Sequence, residues 1–379
     1  MSVYAGPEFN ESGLVYYHDM NNRKSYVGAP TTNHVPNADT MPGWTTYGGT
    51  PVAFQTEFGT TGYRMTNAPS WNGIYRGITI PSTGVYTFSV WARYLGGSPN
   101  NNGGGVYISG WGGTDSASVT NRTQVGQWQR LSITLNCTNT SMTFYLISYG
   151  GTNDGNSDRS SWEVTMPQAE AGSVATTFVA GTRSNTQALR DLTSRNVITA
   201  NSLTYNANNT FSFNGSSNHI TVATLPAMST SNYTIEAIVY PTSFAASPIV
   251  ICPQNAGIDQ FIQFNTNGTF IFKMAAGSDT GERSYTSVDA CVINRYSHIV
   301  CVKNGSNIAL YKDGSLTASS SSDTLASAGW GSTTWVIGQR GNSTFFFPGE
   351  IPIVKGYDRS LSASEIFSNF TASRLRYGI

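Results

Sequence analysis

The chain of 379 residues sets 21 Lys and Arg against 21 Asp and Glu, and 11% of its residues are charged, where a soluble domain carries about 25%. That balance excludes an electrostatic nucleic-acid binder and a polybasic membrane-surface protein, both of which need surplus Lys and Arg. No apolar run is long enough to span a bilayer, and 39% hydrophobic with 12% aromatic residues is too apolar for disorder, which leaves an all-β protein rich in Ser, Thr, Asn and Gly turns.

The N-terminus, MSVYAGPEFNESG, has neither a basic n-region nor an apolar h-region, so the chain reads as made and folded in cytosol. A strand-like segment, Gly13 to Met20 (GLVYYHDM), is followed by a break near Tyr26 to His34, where Gly28, Pro30 and threonines interrupt the pattern. Two-residue alternation then predicts strands over Val85 to Tyr94, Arg130 to Leu135 and Met142 to Tyr149. A polar stretch, Thr182 to Gln187, marks a second boundary, after which strands recur at Tyr233 to Tyr240 and Ser297 to Lys303. Asn304-Gly305 and Asp313-Gly314 carry the chemistry of tight hairpin turns. Ser362-x-x-Glu365 forms a capping box, with Leu361 and Ile366 as its staple, and predicts a short helix over 363–372. Cys137, Cys252, Cys291 and Cys301 lack CxxC spacing and read as buried reduced thiols.

Four segments of the C-terminal half resemble the laminin-G-like, concanavalin A-type lectin and glucanase sandwich: FSFNGSSNHITV (Phe211 to Val222), YTIEAIVYPTS (Tyr233 to Ser243), Arg295 to Leu316 and Val336 to Ile366. Gly6 to Tyr26 is similar to the first strand of that sandwich in laminin-G-like virion proteins of tailed bacteriophages. There such a strand is followed closely by an Asp-Leu segment, which here lies at Asp191-Leu192. The intervening stretch resembles the galactose-binding-like jelly-roll carbohydrate-binding modules of phage tail and fibre proteins, through Gly62 to Tyr94, Gly126 to Ser148 and Trp162 to Gly181. The resemblance implies an N-terminal arm over 1–11, a discontinuous concanavalin A-like/laminin-G-like β-sandwich over 12–31 and 184–379, and an inserted jelly roll over 32–183, with one short C-terminal helix.

Sugar recognition needs an aromatic plane beside neutral hydrogen-bonding groups. Trp44, Trp71, Asn72, Tyr75, Tyr107 and Trp111 are the glycan-binding candidates, whereas Trp91 and Trp128 sit in alternating strands and read as core. Asp154-x-Asn156-x-Asp158 has the alternate-residue oxygens of a calcium loop, but Arg159 stands where a Gly is wanted and Thr165 where the bidentate Glu belongs, so calcium is weakly supported and no other cofactor is expected. The acidic pair that the sandwich family places after its Phe-x-Gly strand is replaced by Asn214 and Asn218, followed by His219. Glu236 stands alone, without the alternating carboxylates of sandwich glycosidases, and the adjacent His18 and Asp19 point to opposite strand faces. A non-enzyme is expected.

Two functional expectations follow. One is a structural subunit of a bacteriophage virion (fibre, appendage or surface decoration), made in the host cytoplasm, assembled with other virion proteins as a homo-oligomer, a trimer if a fibre, and touching host-surface polysaccharide. The alternative is a non-catalytic carbohydrate-binding protein outside any virion. Neither involves nucleic acid or membrane.

Overall fold

The computed structural model describes residues 10–379 apart from 23, 29, 69–71, 98–103, 111–115, 121–124, 149–159, 206–209, 226–227, 230, 255–259, 275–281, 322, 324–332 and 342. The chain is all-β with one C-terminal helix and divides into two compact units, Met1–Ala29 with Asn185–Ile379, and Pro30–Ser184.

The first unit is a β-sandwich. One sheet runs Thr204–Tyr205, Phe211–Asn214, Pro348–Tyr357, Asn232–Pro241, Ser297–Asn304, Asn307–Lys312 and Ser315–Ser320. The other runs Val197–Asn201, His219–Leu225, Thr333–Ile337, Ile249–Pro253, Phe261–Phe264, Phe270–Met274 and Arg283–Thr286. Alternate residues of the two inner faces, such as Tyr233, Ile235 and Ala237 against Val222, Ile251 and Phe272, form one core. The central strands of the first sheet read as nearly continuous apolar runs because their outer face is covered too. Val300, Val302 and Tyr357 pack with Leu361 and Ile366, and Ile238 and Ile353 with Tyr17 and Tyr377.

That covering element is the helix Ala363–Tyr377, capped reciprocally by Ser362 and Glu365 and ended by Gly378, whose φ of 66° is left-handed. It outruns the expected end at Ala372 because Gly378 is the stop, and Tyr377 anchors the last turn in the cluster around Tyr17.

Leu14–Asp19 pairs antiparallel with Pro348–Tyr357, from Leu14 opposite Tyr357 to Asp19 opposite Ile353. Asp191 fastens that strand: its carboxylate accepts from Tyr17 N at 2.9 Å and from the N–H groups of Thr193, Arg195 and Asn196, while Leu192 N donates to Tyr17 O at 2.7 Å. The hairpin pairs resolve differently from one another. Asp313 and Gly314 both take positive φ between Lys312 and Ser315, whereas Asn304 closes a pair with Asn307, so the other turn is Gly305-Ser306 with Gly305 at 59°.

The chain leaves the first unit at Tyr26 and returns at Leu189, and these two residues are bridged, with Val27 N on Ala188 O at 3.0 Å and Arg190 N on Ser25 O at 2.7 Å. In the second unit Thr31–Thr32 pairs with Thr182–Arg183. Both ends are therefore closed within their own unit. Replacing residues 30–184 by a short Gly/Ser linker should leave the first unit folded, and 30–184 should fold alone. Calorimetry of each piece checks this, and a piece without a cooperative transition would count against it.

The second unit packs two five-stranded sheets around its own core. One runs Trp128–Cys137, Gly84–Gly97, Ser160–Ala171, Thr61–Ala68 and Val52–Gln55, and the other Thr45–Tyr47, Gly73–Thr79, Ser141–Ser148, Gly104–Gly110 and Ser116–Thr120. Phe88, Val90, Phe144, Leu146 and the fully buried Trp162 fill the space between them. All four cysteines of the chain are buried thiols outside any disulfide, as expected, and burial pushes Cys291 up to about 11.

Candidate functional site

The two-residue period decides what the second sheet of this unit shows outward. Ile74 and Ile78 on one strand and Met142, Phe144 and Leu146 on its neighbour enter the core, so Tyr75, Gly77, Thr143 and Tyr145 take the outer face. Register then sets Tyr145 directly opposite Tyr75 on one side and Tyr107 on the other. The Tyr75 and Tyr145 rings lie 5.5 Å apart at 32°. Tyr47 pairs with Gly73, which has no side chain to compete, and its ring stands edge-on to Tyr75 at 6.2 Å and to Tyr145 at 5.7 Å. Tyr47 is 45% exposed. Thr45, Thr79 and Ser141 on the same strands are exposed as well. Two tilted rings thus form a floor and a third ring forms a wall, bordered by hydroxyls.

Of the residues singled out from sequence, Tyr75 lies in this cluster and Tyr107 is next to it in register. Tyr75 is in mid-strand, not in a turn-rich segment. Trp44 is half-buried against the core, edge-on to Phe144 at 6.0 Å, and its buried indole N–H has no partner among the described residues. Asn72 packs its amide against Gly48, where a Cβ would not fit. Trp71, Trp111, Asp154, Asn156 and Asp158 lie outside the described residues. Sequence reading missed Tyr47 and Tyr145. The alternation of Met142 to Tyr149 was a signal for Tyr145, but its meeting with Tyr75 depends on register.

Trp91 and Trp128 are not core, contrary to expectation. Phe88, Val90 and Ala92 take the inward positions, so Trp91 and its neighbours of the same parity face outward. There Phe58 contacts Trp91 at 5.7 Å and Trp128 at 5.5 Å, and the Arg93 guanidinium sits 4.5 Å over the Trp128 ring. Glu57 accepts from Trp128 Nε1 at 2.6 Å and from Arg93 at 3.1 Å, while the buried Glu163 takes Arg64 at 2.5 Å and Arg93 at 2.6 Å. This face is occupied by contacts among its own side chains.

In the sandwich, Asn214 and Asn218 close a turn on themselves: Asn214 Oδ1 accepts from the N–H groups of Ser216, Ser217 and Asn218, and Asn218 Oδ1 accepts from Asn214 N. Glu236 is not alone. Lys355 Nζ lies 2.8 Å and His298 Nε2 3.2 Å from its Oε1, and Asn369 donates to Oε2 at 2.6 Å. Burial by itself would raise this carboxyl, but the attraction of Lys355 and the contact with His298 outweigh it and hold the group at about 2. His18, bonded to Tyr16 Oη at 2.7 Å, and Asp19, bonded to Arg376 at 2.5 Å, do face opposite ways, and burial lowers His18 to about 4. A polar cavity of about 910 Å³ lies beside the helix, lined by Tyr17, Asp19, Lys355, Glu365, Asn369 and Arg376 among others. Two of its carboxylates, Asp19 and Glu365, are tied to Arg376 and Arg359, and Glu11 also lines it. Among the described residues no three His, Cys, Asp or Glu are grouped to hold a metal, and no helix is long and apolar enough to cross a membrane.

A search of curated proteins gives no match. Among solved structures, the chain is similar to the binding domain of botulinum neurotoxin serotype D/C (12% identity, TM-score 0.41, 50% of each chain covered). It is also similar to the binding domain of Paraclostridial Mosquitocidal Protein 1 (18%, 0.38, 48% of this chain and 49% of that one) and to that of botulinum neurotoxin serotype G (16%, 0.40, 48% of each). The chain spans about half the length of these structures. Residues 214–367 match the concanavalin A-like lectin/glucanases superfamily, laminin-G type. With its two-sheet core and covering helix, this all-β chain therefore carries a concanavalin A-like, laminin-G-type β-sandwich domain.

Proposed function

We propose that this chain is a non-catalytic glycan-binding protein that uses the outer tyrosine face of its second unit, and that it works as a surface subunit of a bacteriophage virion. The observation that carries the glycan reading is the cluster of Tyr47, Tyr75 and Tyr145, two rings as a floor and one exposed ring beside them, on a strand face bordered by hydroxyls. Sugar C–H faces stack on such rings while the hydroxyls take the sugar's hydrogen bonds. The virion reading is supported by the likeness of Gly6 to Tyr26 and of the inserted unit to phage proteins; a homo-oligomer, trimeric in a fibre, accompanies it.

Tyr47→Ala and Tyr145→Ala should each weaken binding to immobilised host polysaccharide by about 1–2 kcal/mol with the thermal transition of the unit retained. Unchanged binding in both variants would refute the site. Mass spectrometry of purified virions should find the chain at stoichiometric copy number, and its absence would refute the virion role while leaving the glycan reading in place.

A further inference from the structure

We infer that the tyrosine face takes an uncharged glycan and rejects anionic ones; this rests on the glycan-binding reading of the same face. Through Thr45–Tyr47, Gly73–Thr79, Gly104–Gly110, Ser116–Thr120 and Ser141–Ser148, the five strands of the sheet, the one Asp, Glu, Lys, Arg or His is Arg76. Arg76 alternates with Tyr75 and so has the opposite parity, and its Nη1 donates to the carbonyl of Pro42. Its charge is spent beside the Pro42–Gly43 turn and not beside the rings.

A carboxylate or sulfate brought onto stacked rings loses water and needs a cation or convergent N–H donors in return. The backbone N–H groups here are committed to the strand ladder, and the exposed outer-face residues of these strands include Thr45, Gly77, Thr79 and Ser141, while Thr143 is buried. The hydroxyls of Thr45, Thr79 and Ser141 suit neutral sugar hydroxyls and bring no positive charge to offset an anion's lost water. The contrast lies within the same unit, where the other sheet holds Arg64, Arg93 and Arg130 outward.

Room for the ligand is provided by Gly77. It follows Tyr75 on the outer face, opposite Thr143, and a Cβ there would meet nothing within 4 Å. The trough runs from the Tyr47 wall over the Tyr75 and Tyr145 floor, across three strands spaced about 4.8 Å apart, a span that suits consecutive sugar rings of a chain laid across the strands.

The test uses the full-length protein in affinity gels containing neutral polysaccharides (a glucan, a mannan and a galactan) and the carboxymethylated form of each. The expected result is retardation by at least one neutral polymer, changing less than about twofold between roughly 50 and 500 mM salt, with the carboxymethylated form bound about tenfold more weakly. Gly77→Lys, placed in open space, should bring the carboxymethylated polymer back in a salt-sensitive way, and Tyr47→Ala with Tyr145→Ala should abolish neutral binding. Preference for the carboxymethylated form, relieved by salt and lost in the tyrosine variants, overturns this inference and leaves the glycan reading standing. Retardation by neither form, or retardation indifferent to the tyrosine variants, overturns both.

Discussion

Replacing Lys355 by methionine is expected to destabilise the sandwich by about 3–5 kcal/mol, because it leaves the carboxylate of Glu236 buried without its counter-charge. Glu236 is 1% exposed, and Lys355 Nζ sits 2.8 Å away; Asn369, His298 and Tyr357 complete the cluster, Asn369 reaching Tyr357 Oη at 3.0 Å. Removing both charges together, as Glu236→Leu with Lys355→Met, should cost far less than the single change, since desolvation of the pair offsets much of its attraction. Urea unfolding of the two variants and of each single change closes the cycle. Acid gives an independent reading. With the folded carboxyl at about 2 and an unfolded value of about 4.3, this group contributes stability that is complete above roughly pH 4.5 and is lost as the pH falls toward 2. Glu236→Gln should flatten that part of the pH profile, and an unchanged acid slope would show that the cluster does not hold the carboxyl ionised.

Trp335→Ala is expected to cost about 3–5 kcal/mol. The indole is 1% exposed, meets Tyr16 edge-on at 5.8 Å, and lies so close to Gly356 that a Cβ there would come within 2.5 Å of its ring. Gly356 thus makes room for Trp335, and Gly356→Ala alone should cost about 1–3 kcal/mol by overpacking. Combining Gly356→Ala with Trp335→Leu should recover part of that loss, as the smaller side chain relieves the clash. Hydrogen exchange of the Leu14–Asp19 amides should speed up in Trp335→Ala, since Tyr16 loses its edge contact with the indole. Protection equal to that of the parent would mean that the first strand does not depend on this contact.

How much of this was readable in advance follows the range of the physics involved. Ser362 and Glu365 are three residues apart, so the cap was legible as a local pattern, while the far end at Gly378 lay beyond the fading apolar period. Alternation marked Val85 to Tyr94 as a strand but not which parity faced inward. Trp91 went to the wrong side because its place in an alternating strand was read as core, whereas Phe88, Val90 and Ala92 filled the inner positions and register brought Arg130 opposite Trp91. Glu236 looked solitary because Lys355, His298 and Asn369 come from distant segments. Tyr75 was singled out as an aromatic beside a turn-rich segment, though it lies in mid-strand; its neighbours Tyr47 and Tyr145 required pairing between strands that sequence does not display.

The pairing of Leu14–Asp19 with Pro348–Tyr357 also sets an order of events during translation. The strand emerges from the ribosome long before its partner. At about 5–20 residues per second the wait is roughly 15–65 s. The strands of the second unit are all complete within that interval, since they end at Arg183, so the inserted unit can close while the sandwich is still a nascent chain. Val15, Tyr16 and Tyr17, buried in the finished fold, meanwhile have no native ladder to join. A chain stalled before Pro348 therefore displays an unpaired apolar strand beside a folded domain, the kind of species that trigger factors and proteases recognise.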